Sequence, residues 1–234
     1  MKFLLLLFIF LNSLFATQSL QSLTNKSFSD KPSSQEEPVK MVYKDMLAFL
    51  ENSQDSNQLL ILGSIYVNGT TEADSVGDTI KKDPFLAENY LLKAINKGNI
   101  KALSVLAGFY MFHEDMRKLD PKLKKAEEYL KEAYKKGDNE ASTLLSTLYF
   151  EKEIPDKGLE MLFNASNKQD ANADIALAFI FKDGLIVKQK QIIKADMPTA
   201  EFYLNKACSN KNKSEKINNL CFNSNYVSIE NRNK

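Results

Sequence analysis

The chain has 234 residues, with 31 basic against 30 acidic side chains, a formal net charge of +1, and 44% hydrophobic and 26% charged residues. That length allows one or two domains. Balanced charge creates no overall field toward phosphate backbones or anionic lipid, which argues against nucleic acid and membrane surfaces as partners.

The first sixteen residues read as an export signal. Lys2 gives a positive start, Phe3 to Leu11 is an unbroken apolar run of nine residues, and Asn12 to Ala16 closes it. A spanning helix needs roughly 20 apolar residues and a secretory apolar region about 7 to 15, so cleavage near Ala16 is expected rather than anchoring. Leu14 is bulkier than such a site prefers, and an uncleaved anchor is the alternative. No cysteine follows the run, so no lipid attachment and no membrane insertion of the mature chain are expected. Residues 17–38 carry six serines and two prolines among only three large apolar side chains, Leu20, Leu23 and Phe28, and read as a flexible leader. From Val39 a helical pattern begins, with Met41, Tyr43, Met46, Leu47, Phe49 and Leu50 in register. Residues 39–57 are therefore predicted to form an N-terminal capping helix that ends in the polar stretch Asn52 to Asn57.

Beyond this point one short text returns four times. Leu62-Gly63-Ser64-Ile65-Tyr66 is echoed by Leu106-Ala107-Gly108-Phe109-Tyr110, by Leu145-Ser146-Thr147-Leu148-Tyr149 and by Leu177-Ala178-Phe179-Ile180-Phe181. A second element follows each: Ala87, Tyr90, Leu91 and Ala94; Ala126, Tyr129, Leu130 and Ala133; Gly158, Met161, Leu162 and Ala165; Ala200, Tyr203, Leu204 and Ala207. Offsets of 0, +3, +4 and +7 define one helical face. Ala94, Ala133 and Ala165 each lie twelve residues before the next Leu of the first motif, so the register holds across the turns. The spacing of the closing aromatics is 44, 39 and 32 residues, with the variation confined to the loop inside each repeat. The prediction is an all-α fold, an α/α superhelix (solenoid) of about four helical hairpins over 58–101, 102–140, 141–172 and 173–212, with capping helices at both ends. The first helices of the repeats are expected to line a concave surface that holds a protein partner.

Small residues at 0 and +7 let helix axes approach to about 8 Å. Gly98 and Gly137, four past Ala94 and Ala133, suit a left-handed helix end. Asp83-Pro84 and Asp120-Pro121 look like helix starts; Asp196 with Pro198 is looser, and Asp156 keeps the acid without the proline. Residues 213–234 hold a predicted closing helix, Lys216 to Tyr226, and a tail. The two cysteines, Cys208 and Cys221, form an even pair that an oxidising compartment would bridge, with two buried thiols as the alternative.

These motifs resemble the Sel-like repeat (SLR), a relative of the tetratricopeptide repeat. Tyr66-Val67-Asn68-Gly69 and Phe181-Lys182-Asp183-Gly184 match its glycine and Lys82-Asp83 its Lys-Asp, whereas His113 and Lys152 stand where the other two glycines would be. Those two hairpins are expected to turn differently. Lys206-Ala207-Cys208 is similar to the cysteine-rich, exported bacterial branch, and that resemblance implies a bridge from Cys208 to Cys221 stapling the last hairpin, at a wider spacing than is usual there. It also implies a scaffold role in the cell envelope or periplasm, possible service to a motility assembly, and two alternatives: β-lactamase-like or penicillin-binding activity, and secretion toward a host.

The residues themselves offer little chemistry. His113 is the one histidine, beside Glu114 and Asp115, with no second histidine or suitably placed cysteine to complete a metal site or triad. No Ser-x-x-Lys acylation signature and no phosphate-cradling glycine loop occur. The lysines of 122–136 interleave with Glu127, Glu128 and Glu132, as on a solvated helix face. No catalytic, cofactor-binding or metal-binding residue is singled out, and no cofactor is expected.

Overall fold

A computed structural model describes residues 43–70, 77–113, 120–211, 213 and 215–223. The segments expected to be an export signal and a flexible leader, the first residues of the expected N-terminal capping helix and the expected C-terminal tail lie outside the described residues. Among those described are ten helices: α1 (Tyr43–Glu51), α2 (Ser56–Asn68), α3 (Pro84–Asn96), α4 (Ile100–Phe112), α5 (Asp120–Lys135), α6 (Glu140–Glu151), α7 (Pro155–Asn167), α8 (Ala171–Asp183), α9 (Met197–Ser209) and α10 (Glu215–Asn223). Two compact units make up the chain, one ending at Ala126 and the other starting at Glu127, so their boundary runs through α5. The first unit holds α1 to α4. In it α2 packs against α3; the second unit holds α6 to α10, with α6/α7 and α8/α9 each packed as a pair.

An Asx residue stands seven before each motif leucine: Asp55, Asn99 and Asp170 cap α2, α4 and α8, whereas Asp138 precedes Asn139, which holds the cap position of α6 without a side-chain cap. Asp55 Oδ1 accepts from the amides of Asn57 and Gln58, Asn99 Oδ1 from Ala102 and Asp170 Oδ1 from Asn172, satisfying amide groups that a helix start leaves unpaired. The second helix of the first repeat starts in the predicted manner at Asp83, whose carboxylate accepts from the amides of Phe85 and Leu86, while Asp196 holds the cap position of α9 without a side-chain cap to the backbone. The third repeat departs from the expectation. Its α7 opens on Pro155, so the proline is present one residue ahead of Asp156, and Asp156 lies in the first turn while Ile154 holds the cap position without a side-chain cap.

Each second helix of the first three repeats ends by the same device. The amides of Asn99, Asp138 and Asp170 reach back five residues to the carbonyls of Ala94, Ala133 and Ala165, at 3.0, 2.9 and 3.1 Å. Between them stands a left-handed residue: Gly98 (φ 84°), Gly137 (φ 89°) and, in the third repeat, Gln169 (φ 63°). The hairpins also turn in two ways. Gly69 (φ 66°) and Gly184 (φ 79°) lead into loops where an added Cβ would come 2.8 and 2.9 Å from the carbonyl oxygens of Ile80 and Ile193. The trimmed third loop closes from the Ile154 amide to the Tyr149 carbonyl, at 2.8 Å, with Glu153 in the left-handed region.

The fourth loop adds an element the periodicity did not predict, an antiparallel ribbon of β1 (Leu185–Val187) and β2 (Lys190–Ile193). Lys188 and Gln189 join the strands, both at positive φ (48° and 63°), the turn geometry that matches strand twist. Three consecutive β-formers on one side and Ile192-Ile193 on the other carry the signal, but the turn lacks the usual Asn-Gly.

The first helices are interior. Every residue of α6 from Ala141 to Phe150 is buried, and α4 is buried from Leu103 to Met111 apart from half-buried Val105. Neither helix has a charged residue inside these stretches, and in α6 the hydroxyls of Ser146 and Thr147 donate to the Thr143 carbonyl, so both helices can lie in a core. On α1, Met46 and Leu50 face the core while Phe49 stays 60% exposed.

Candidate functional site

The repeat-packing residues occupy the contacts between helices. Leu62, Gly63, Tyr66, Ala87, Ala94, Leu106, Ala107, Tyr110, Ala126, Ala133, Leu145, Tyr149, Gly158, Ala165, Leu177, Ala178, Ala200 and Ala207 are all buried, and Phe181 is half-buried. The glycines mark the closest approaches. A Cβ on Gly63 of α2 would stand 2.7 Å from Leu91 Cγ and 3.1 Å from the Leu91 amide nitrogen on α3; one on Gly158 of α7 would stand 2.5 Å from the Phe150 ring on α6.

The closing aromatics receive two kinds of partner. Tyr66 stacks on Tyr90, with centroids 5.9 Å apart and planes at 11°, and Phe181 stacks on Tyr203 at 5.7 Å and 7°. In the other two repeats a lysine ammonium lies over the ring, Lys122 at 4.6 Å from the Tyr110 centroid and Lys157 at 5.0 Å from that of Tyr149. Around these rings lie three polar clusters. Tyr66 donates its hydroxyl to Glu51 Oε1 at 3.2 Å; burial, then this carboxylate, pushes the Tyr66 pKa up to about 12. Glu88 of α3 accepts from both the Tyr110 hydroxyl and Lys122. Burial alone would raise the Glu88 pKa, but those two donors outweigh it and hold the carboxyl below its ordinary value.

The third cluster lies in the second unit and is the most buried. Lys206 of α9 donates to the Ser166 carbonyl at 2.7 Å and the Ser166 hydroxyl at 2.6 Å, and pairs with Asp174 Oδ1 at 3.1 Å. The Ser166 hydroxyl donates to the same Asp174 oxygen. Nearby Asp170 accepts from the Ser142 hydroxyl at 3.1 Å, and burial raises its pKa. The sequence singles out Lys206 only as the residue before Ala207-Cys208, but the register holds a signal for the cluster: the position of Asp174 is filled by Leu59 and Leu103 in the first two repeats. Ser166 beside a lysine has the residue types of an activated nucleophile. The geometry gives it a different task, since Ser166 is 2% exposed and the lysine's three protons point to two oxygens of Ser166 and to a carboxylate. It is an ion pair between a half-buried lysine and a buried aspartate that joins α7, α8 and α9.

His113 ends α4 with its ring 4.9 Å from that of Phe109; Glu114 and Asp115 lie outside the described residues. Among the described residues no group of three His, Cys, Asp or Glu side chains is placed to hold a metal ion, and no helix is long and apolar enough to cross a membrane. Cys208 and Cys221 are bonded, their Cα atoms 5.8 Å apart.

Solved structures similar to the chain include the following two crystal structures. One is a Sel1 repeat protein from Oxalobacter formigenes, at 20% identity and a TM-score of 0.51 over 73% of this chain and 63% of that one. The chain has the SLR fold. The other is a protective antigen of uropathogenic Escherichia coli strains displaying an SLR fold, at 20% identity and a TM-score of 0.48 over 72% of this chain and 33% of that one. The chain thus spans a third of the length of the antigen and just under two thirds of the Oxalobacter protein. No family model matches the sequence, and no curated protein matches it. Within each unit of this chain turn residues clamp successive hairpins. Asn99 Nδ2 donates to the Ser56 carbonyl and Asn57 Oδ1, and Asn210 Nδ2 to the Gln169 carbonyl.

Proposed function

We propose that this SLR chain is an exported scaffold of the bacterial cell envelope that binds a protein partner. The observation that carries the reading is a pair of phenylalanines left in water on clamped helices, Phe85 at 78% and Phe202 at 61% exposure, against polar clusters whose groups are engaged with one another. Buried aromatic anchors dominate protein interfaces, and rigid display lowers the entropy lost on docking. The partner was expected on the first helices; their burial moves the proposed contact surface to the second helices and the loops.

The test places a photo-crosslinking residue at Asn89 on α3 or at Asn205 on α9, both exposed, in cells expressing the full chain. A protein adduct should form at each site, and Phe85→Asp or Phe202→Asp should abolish it at the corresponding one. Adducts that persist in the aspartate variants would refute the surface. Export is tested by the N-terminal sequence of the mature chain in the envelope fraction, expected to begin after Ala16.

A further inference from the structure

We propose that the outer edge of β2 takes up an extended, acidic segment of a protein partner as a third strand. The inference rests on the reading that the chain binds a protein, but not on Phe85 or Phe202. It adds the edge that receives the partner and the chemistry of the segment received.

Val187 pairs with Lys190 across the two-residue turn, and Ile186 pairs with Gln191. In such a hairpin the pair that closes the turn exchanges both of its backbone bonds, so the next pair turns its amides and carbonyls away from the ribbon. Gln191 thus aims one donor and one acceptor outward from β2, and Ile186 does the same from β1. Among the described residues no further strand joins the ribbon, and no other backbone group meets those of Gln191 or Ile186. The edge of β2 is the more open of the two. Lys190 and Gln191 are exposed and Ile192 is half-buried, whereas β1 carries buried Leu185 and half-buried Val187. The ribbon is also fixed at both ends. Across its base the Asp196 amide donates to the Phe181 carbonyl at 2.6 Å, and at its tip Lys188 pairs with Glu153 of the preceding repeat. A strand edge held in one conformation loses little entropy when a partner adds to it.

Charge selects the occupant. Lys182, Lys188, Lys190 and Lys194 are all exposed, and the stretch that they span contains a single acid, Asp183. Asp183 and Glu153 offset two of the four lysines, so the ribbon and its flanks keep an excess of two positive charges. A second copy of the ribbon would set lysine against lysine across the new pair, which is how exposed edges resist self-association. A strand with carboxylates at alternate positions meets the lysines with opposite charge while its backbone bonds to Gln191.

A fluorescein-labelled hexapeptide of alternating Glu and Val, blocked at both ends, tests the site by anisotropy with the full chain, against the matching Lys-Val peptide. Saturable binding of the Glu-Val peptide is expected, at least about tenfold tighter than that of the Lys-Val peptide. Gln191→Pro removes the outward amide and spares the bonds between β1 and β2, since an edge strand tolerates proline where its N–H faces water. It should weaken binding by about tenfold, and Ile186→Pro, on the other edge, by less than about threefold. Amide exchange followed by NMR on the parent chain gives a readout that needs no variant. The peptide should raise protection at Gln191 by at least about tenfold and leave Ile186 unchanged. Binding without protection at Gln191 would mean that the lysines attract the peptide with no strand added, and the proposal fails. It fails equally if no saturable binding occurs up to about 1 mM, if both peptides bind alike, or if Ile186 is the amide protected. None of these readouts involves the phenylalanines, so lost crosslinks at Asn89 and Asn205 would count against the second-helix surface alone.

Discussion

Gly63→Ala tests whether close helix approach is the reason for the small residues of the repeat. Inside a helix, alanine is favoured over glycine by about 1 kcal/mol, so propensity alone predicts stabilisation. The added methyl of Gly63→Ala would stand 2.7 Å from Leu91 Cγ, 2.9 Å from Leu91 Cδ2 and 3.1 Å from the Leu91 amide nitrogen. Leu91 is fully buried, and its backbone cannot turn aside as a side chain can. Overpacking of this kind costs about 1 to 3 kcal/mol, so the net expectation is a loss of about 1 kcal/mol. For a chain of this size that lowers the melting temperature by about 2 to 4 °C in a calorimetric or circular dichroism scan. Gly158→Ala is the internal comparison. Its methyl meets only ring atoms of Phe150, at the free end of a side chain, so its loss should be the smaller of the two. A Gly63→Ala protein that melts higher than the parent would refute the claim that this glycine marks the limit of approach.

Gln169→Gly should stabilise the chain by about 0.5 to 1 kcal/mol in urea unfolding, because Gln169 holds a left-handed backbone at φ 63° that costs a side-chain-bearing residue more than glycine. Lys206→Met should destabilise by about 3 kcal/mol by leaving the Asp174 carboxylate buried without its cation, and adding Asp174→Leu should recover most of that loss. Asp170→Asn should raise stability at neutral pH. The Asp170 pKa lies above its unfolded value of 3.8, so the native state loses stability as pH rises through that window, and the asparagine removes the loss; melting temperatures of parent and variant should converge below pH 3.8. Glu88 runs the other way: with its carboxyl held below 4.5, stability is lost as pH falls under that value, and Glu88→Gln should flatten that acid limb of the melting curve. Incubation with a chromogenic cephalosporin should give no turnover above buffer, and turnover would reverse the preference for a scaffold over a hydrolase.

The hairpin order was legible because it rests on periodicity. Alanines such as Ala94 and Ala133 recur where helices touch, and a twelve-residue interval to the next leucine leaves little choice of turn. The Asx series Asp55, Asn99, Asp138 and Asp170 carries the same information, seven residues before each motif leucine. The ribbon after Gly184 was not legible, since Lys188-Gln189 takes a turn geometry that neither residue favours and tertiary packing overrides local preference. The cluster of Ser166, Asp174 and Lys206 joins residues up to 40 positions apart, and only an acid inside an apolar stripe hinted at it. The burial of the first helices could have been read from the uncharged stretch between Lys101 and His113, which excludes a wet face.

The two ways of covering the closing aromatic bear on how such an array can grow. Tyr66 and Phe181 follow the plan of a long loop and a ring supplied from the next helix; Tyr149 follows a short loop and a flexible cation. A chimera that set residues 141–172 in place of 58–101 would bring Met161 to the place of Tyr90 and lose the stack, together with the loop that aligns it. Duplication therefore has to copy loop and both helices as one piece, and a recombination point falling inside a hairpin would join halves built to different plans.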